Sequence, residues 1–387
     1  MNLDEARRQA SALFGPIEAP GSPHLVELGR RDGDAVDFIE QLQSMTPNGF
    51  PLPTLLLFGL TQLLGLQNYG PEEKVAWRVR FGVRGATFGF ELRKFGLRML
   101  CEPANIGKPI TREILGKARS LTDIAEQYLS DSYAIEQIRA GHFTIENLYM
   151  QLDGRYRFLR AEAESAYAKP PPPPREVKYE YGVYYEHDVD RPTREGGALG
   201  TATVDAYFSR LEHLICLSAA FLEDALPSGG ILEFLAANWP SKLRAVLDIR
   251  VPVAKSFYDR LLAVREEWRN PIAHGGFLTG GGSLYFHVPG VGALPARMRR
   301  TPEGVRLSFQ MEGASFQVLM QLFDAFDAFL KSGPLKFPCQ WAEAGLDVAF
   351  DSISRDRYIR AMRSDADFAS FIEGTERAID RDMNMEF

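Results

Sequence analysis

Five consecutive prolines at positions 170–174 constrain this chain more than any other feature. A run of that kind has no backbone donors, cannot continue a helix and stiffens into an extended polyproline segment. It reads as a semi-rigid spacer. The charged, tyrosine-rich stretch that follows and the pair Gly196-Gly197 extend this into a linker over residues 170–200. A chain of 387 residues exceeds one typical domain. The linker divides it into an N-terminal domain, 1–169, and a second domain, 201–335, with an extension at 336–387.

The first domain reads as mixed. Val75, Trp77, Val79 and Phe81 alternate with Ala76, Arg78 and Arg80, the period of a half-buried strand. Gly82 and Gly85 punctuate a turn, and residues 87–92 and 96–100 continue the pattern as an antiparallel meander. Residues 53–66 predict a short buried helix. Thr111 is placed to cap another. A long helix over 144–168 carries Ile145, Leu148, Leu152, Tyr156 and Leu159 on one stripe. Arg78, Arg80, Arg84, Arg93, Lys94 and Arg98 make one side of the meander basic, either a ligand or nucleic-acid surface or the wet side of a half-buried sheet.

The second domain reads as helical. Val204, Tyr207, Phe208, Leu211, Leu214, Ile215, Ser218, Phe221 and Leu222 follow the helix period, with Asp205, Arg210, Glu212 and Glu223 on the other faces. A second helical zone, 231–247, is broken by Pro240, with Ser241 placed to cap the restart. Further zones cover 253–269 and 314–330. Between them an insertion, 280–312, reads as a hairpin with arms at 284–288 and 305–309. The predicted fold class is therefore α+β: a mixed N-terminal domain with a small antiparallel sheet, then an all-α bundle decorated by a β-hairpin.

Composition narrows the function. A net charge of −7 excludes a polybasic nucleic-acid binder, so any RNA contact must be local. Cys101, Cys216 and Cys339 are far apart and form no C-x-x-C, which argues against a zinc site or a disulfide framework and suits a reducing cytoplasm. The most apolar stretch, 52–66, is interrupted by Pro53, Gly59 and Gly65 and is too short to span a bilayer. A cytoplasmic protein with no membrane association is expected. Neither a phosphate-binding loop nor a G-x-S-x-G elbow occurs. Glu186, His187, Asp188 and Asp190 are hard-metal ligand types without a partner cluster, so no metal and no cofactor is expected.

One run carries chemistry: Arg269-Asn270-Pro271-Ile272-Ala273-His274-Gly275. A guanidinium grips a phosphate in a planar two-pronged geometry and stays charged. An imidazole exchanges protons near neutrality. RNA brings its own nucleophile, the 2′-hydroxyl. In a continuous helix, side chains five residues apart diverge by about 140°. Convergence therefore requires either a break, which Pro271 favours, or a second copy of the motif.

The Arg-Asn-x-x-x-His run, after a long amphipathic helix, resembles the signature of the HEPN superfamily, over roughly residues 201–331. The resemblance implies a small helical bundle that forms a homodimer, with the two motifs meeting in one composite site. It implies a metal-independent endoribonuclease, a toxin or antiviral-defence effector, with Arg269, Asn270 and His274 as its catalytic residues. Glu212 resembles the polar residue that such proteins carry on the first bundle helix, and would orient Arg269. The N-terminal domain would then sense a trigger ligand or protein. Independently of the resemblance, Arg297, Arg299, Arg300 and Arg306 face Tyr285, Phe286 and His287 across the insertion, which makes either an RNA-binding arm or a solvated hairpin tip. The competing reading is a non-catalytic dimerisation or nucleotide-binding adaptor, in which Arg269 pairs with a carboxylate such as Glu266 and His274 is structural.

Overall fold

The computed structural model describes residues 1–21, 25–27, 44–102, 108–269, 285–295, 300–301, 304–305 and 311–385. These residues are mostly helical with small antiparallel sheets, an α+β composition. They separate into two compact units, Met1–Ala140 with Ser370–Phe387, and Gly141–Ala369. The polyproline run thus lies inside the second unit.

The first unit contains α1 (Leu3–Phe14), β1 (Val26–Glu27), α2 (Leu52–Phe58), β2 (Val75–Val83), β3 (Ala86–Arg93), β4 (Gly96–Glu102), α3 (Lys108–Tyr128) and α4 (Ala134–Arg139). The strands form one antiparallel sheet in the order β1-β4-β3-β2, with the meander that the alternation predicts. Arg84 and Gly85 close the first hairpin with positive φ at both positions, 52° and 75°, the hand that matches strand twist. Trp77, Val79, Phe81, Phe88 and Phe90 point to a core shared with α1, α2 and α3. On the other face Arg78, Arg93 and Arg98 are engaged, while Arg80 lies over the Tyr69 ring with its buried Nε unpartnered among the described residues. Glu91, only 1% exposed, binds both Arg78 and Arg93, while Glu27 pairs with Arg93 and Arg98. Arg84 holds Glu113 in a two-pronged pair at 2.9 and 3.0 Å. This surface is a charge-balanced outer face more than a free basic patch.

The second unit opens with β5 (Thr144–Ile145) and α5 (Tyr149–Ala168), followed by a ribbon of β6 (Arg175–Tyr179) and β7 (Gly182–Glu186). The long helix α6 (Arg191–Ser218) is its axis, and α5 packs along it antiparallel: Leu148 meets His213, Asp153 meets Arg210, and Tyr156 meets Tyr207. Around it stand α7 (Gly230–Ala236), α8 (Trp239–Val246), α9 (Pro252–Val264), α10 (Gly313–Ser332), α11 (Lys336–Glu343) and α12 (Ser352–Ala361). Four short strands follow α9: β8 (Tyr285–Val288), β9 (Gly292–Pro295), β10 (Arg300–Thr301) and β11 (Gly304–Val305). A last strand, β12 (Val348–Ala349), pairs with β5. The final helix, α13 (Asp365–Asn384), carries the chain back into the first unit.

Several expectations change here, each for a local reason. The helix expected from residue 201 starts at Arg191, with Pro192 in its first turn, where a missing amide costs nothing. Gly196 is no linker residue, since a Cβ there would stand 2.5 Å from the Tyr167 ring. That ring is fixed by its hydroxyl, which donates to the Met311 carbonyl at 2.7 Å. The helix expected over 144–168 begins at Tyr149, and its buried residues are Tyr149, Asp153, Tyr156, Ala163 and Ala166; of the expected stripe Tyr156 is buried, while Ile145, Leu148, Leu152 and Leu159 are half-buried. After α7 the restart is capped by Asn238, whose side chain accepts from the Ser241 amide at 3.0 Å. The insertion makes two small ladders, β8 with β9 and β10 with β11, because Pro289-Gly290 turns the chain directly after β8. Among the described residues no helix is long and apolar enough to cross a membrane.

At the start of α5 the Leu148 amide donates to Nε2 of His213 at 2.9 Å, so this imidazole is held neutral as an acceptor. Burial pushes its pKa below the ordinary 6.5. A depressed histidine pKa means that the unfolded chain binds the proton more readily. The contribution is complete above pH 6.5 and is lost as pH falls through the lower folded value. The urea midpoint should therefore drop between neutral and mildly acidic pH. His213→Gln, whose amide oxygen accepts the same hydrogen without titrating, should flatten that drop; an identical slope in both proteins would remove His213 as its cause.

Candidate active site at the end of the motif helix

The last turn before the motif is wider than α-helical. Residues Arg265–Arg269 follow α9 with i→i+5 hydrogen bonding. In so wide a turn residues four apart share a side, and Arg265 and Arg269 both face α6. The Arg269 Nε donates to Asp205 Oδ1 at 3.4 Å. The Arg265 guanidinium lies over the rings of Trp239, at 5.0 Å, and Phe208, at 5.9 Å. Glu212, on the same stripe of α6 as Asp205 and Phe208, accepts from Lys242 Nζ of α8 at 2.8 Å.

The cluster therefore holds three cations, Arg265, Arg269 and Lys242, against two carboxylates, Asp205 and Glu212. Its electrostatics follow. Burial, and then repulsion from Arg269, lower the Arg265 pKa against the pull of Glu212. The Arg265 Nε and the Trp239 Nε1 are both buried without a hydrogen-bond partner among the described residues. Arg269 is different. Its side chain is 26% exposed, and Asp205 is its one hydrogen-bond partner among the described residues. Among the described residues the rest of its donor fork is uncommitted, the two-pronged arrangement with which a guanidinium grips an anion.

Two of the four residues expected to act together, Arg269 and Glu212, stand on facing elements. The role expected of Glu212 is filled otherwise: the carboxylate on Arg269 is Asp205, seven residues earlier on α6, and Glu212 is bound by Lys242. Asn270 and His274 lie outside the described residues, as do Arg297, Arg299 and Arg306; Arg300 begins β10. Sequence reasoning also passed over Arg265, although its place four residues before Arg269 is a visible helical spacing. Asp188, one of the metal-type residues, pairs with Arg194 at 2.7 Å, and among the described residues no group of three or more His, Cys, Asp or Glu is arranged to hold a metal ion. Cys216 and Cys339 are buried thiols pushed up to about 11 and about 12 by burial, inert as nucleophiles at neutral pH.

No family model, no curated protein and no solved structure matches this chain.

Proposed function

We propose that this chain is a metal-independent endoribonuclease whose helical half is HEPN-like and works as a homodimer. The observation that carries the reading is Arg269: the arginine of the motif is the last described residue of its helical turn, is partly exposed, and among the described residues is held by one carboxylate, Asp205 of the neighbouring long helix. Arg265, four residues earlier in the same turn, adds positive charge beside it.

In this mechanism the RNA 2′-hydroxyl attacks the adjacent phosphorus. His274 of one subunit takes the hydroxyl proton as the P–O bond forms, and its counterpart protonates the departing 5′-oxygen as the other P–O bond breaks. Arg269 neutralises the charge that builds on the non-bridging oxygens. Asn270 orients Arg269 or the phosphate. The products are a 2′,3′-cyclic phosphate and a 5′-hydroxyl, and DNA, lacking the nucleophile, survives. The basic insertion with Arg297, Arg299, Arg300 and Arg306 holds the flanking strand, and the first unit receives the trigger that a toxin or defence effector needs.

The deciding experiment incubates the full chain with single-stranded RNA in EDTA, beside His274→Ala. Cleavage should persist in the chelator, leave cyclic-phosphate ends and vanish in the variant. RNA left intact under every activating condition, with dimerisation retained, would leave the adaptor reading in its place.

A further inference from the structure

The ribbon of β6 and β7 is a sheet of its own, and the outer edge of β6 has no partner strand among the described residues. Every residue of its two strands except Val177 is exposed, including Tyr179, Tyr184 and Tyr185 at 56%, 51% and 59%. The Tyr179 ring lies across Gly182, with its hydroxyl oxygen 3.2 Å from where a Cβ would be, and tilts against Tyr184 at 6.2 Å between centroids. A lone two-stranded ribbon is marginal in water, and a bare edge carrying aromatic residues is a template for another strand. Single lysines usually block such edges. Here Lys178 shares its face with Glu176, 3.3 Å away along the same strand.

That spacing has a symmetric consequence. We propose that two copies of this chain pair through β6, antiparallel, about a two-fold axis at Val177. Glu176 of each copy then stands opposite Lys178 of the other, so both charges are answered twice. On the opposite face Val177 meets its own copy, and Arg175 comes opposite the Tyr179 ring. Antiparallel pairing puts outward-bonding residues opposite outward-bonding residues, so the neighbouring registers move the axis by one residue. With the axis at position 176 Glu176 faces itself; at 178 Lys178 faces itself. Of these three registers, the one centred on position 177 sets no like charges opposite each other. A nucleic acid is a poorer occupant, because Glu176, Glu180 and Glu186 outnumber Arg175 and Lys178 on the ribbon. The pairing stands on the ribbon alone and does not depend on RNA cleavage.

The test is the molar mass of the full chain by sedimentation or light scattering across a dilution series. Wild-type protein should dimerise. Glu176→Lys and Lys178→Glu should each weaken self-association by about tenfold or more, since each turns two attractive pairs into two repulsive ones. The double swap should restore it, and an equimolar mixture of the two single variants should form mixed dimers, because all-lysine and all-glutamate edges complement each other. Both positions are exposed, so unchanged circular dichroism and unfolding curves serve as the folding control. A monomeric wild type, a dimer that neither single variant weakens, or a double swap that stays dissociated would each overturn the assignment.

Discussion

Replacing Arg210 by methionine should cost the second unit about 3–5 kcal/mol, the largest single loss expected anywhere in this chain. Arg210 is 4% exposed in the middle of α6, and Asp153 opposite it on α5 is 3% exposed. The guanidinium donates to Asp153 at 2.7 Å and to Asp327 of α10, joining three helices through one side chain. Asp327 also accepts from the Tyr207 hydroxyl at 3.1 Å, and Asp153 is paired with Arg157 at 2.6 Å. The guanidinium carbon sits 4.7 and 4.9 Å from the centroids of Tyr156 and Tyr207. Burial works against this charge, yet Asp327 and the other surrounding groups overcome it and raise the Arg210 pKa above its ordinary value. Methionine fills most of the volume but takes the central cation from two carboxylates, leaving the buried Asp153 only Arg157 and the partly buried Asp327 only the Tyr207 hydroxyl, which is where the penalty arises.

The comparison that isolates the charge is Arg210→Met combined with Asp153→Asn and Asp327→Asn. Removing both under-compensated charges should recover a large part of the loss, although the triple variant keeps none of the ion pairs. Arg210→Lys should fall between, because a point charge with three donors cannot span both carboxylates as a planar fork does. Urea unfolding at an unchanged slope reads all three. A single variant within about 1 kcal/mol of wild type would mean that water reaches the carboxylates and that the network is no anchor.

This network also marks where the sequence stopped being legible. The meander could be read because Val75, Trp77, Val79 and Phe81 keep a local period and Gly85 closes the turn. The apolar stripe of α6 was legible for the same reason. Arg210 reads as a polar-face residue, as an isolated charge on a helix does, and only a partner 57 residues away, Asp153, reverses that. Gly196 carries no sign of Tyr167, so a packing contact looked like a flexible joint. At the site the motif declared Arg269, but Asp205 and Glu212 are equivalent by helical pattern, and the choice between them depends on Lys242 claiming Glu212. A contact across 64 residues of chain, such as Arg269 with Asp205, leaves no trace in a periodicity.

Arg269→Ala should lower the rate of RNA cleavage by about 100- to 1000-fold, the usual loss when one preorganised donor to a developing oxyanion is removed. Its effect on stability should stay within about 1 kcal/mol, because the pair with Asp205 is long and partly exposed. Arg269→Lys should recover little activity despite keeping the charge, since the two-pronged geometry is gone. Arg265→Ala should show the reverse pattern. That side chain covers Trp239 and Phe208, so its removal lowers the unfolding midpoint through lost packing. Asp205→Asn separates aiming from charge: it keeps an acceptor for Arg269 and should reduce the catalytic constant by about tenfold or less, with the unfolding curve unmoved. The two arginines are four residues apart and face the same helix, yet one should govern rate and the other stability. If Arg269→Ala cleaves RNA as fast as wild type while Arg265→Ala does not, the phosphate grip belongs to Arg265, and the motif arginine is only a surface partner of Asp205.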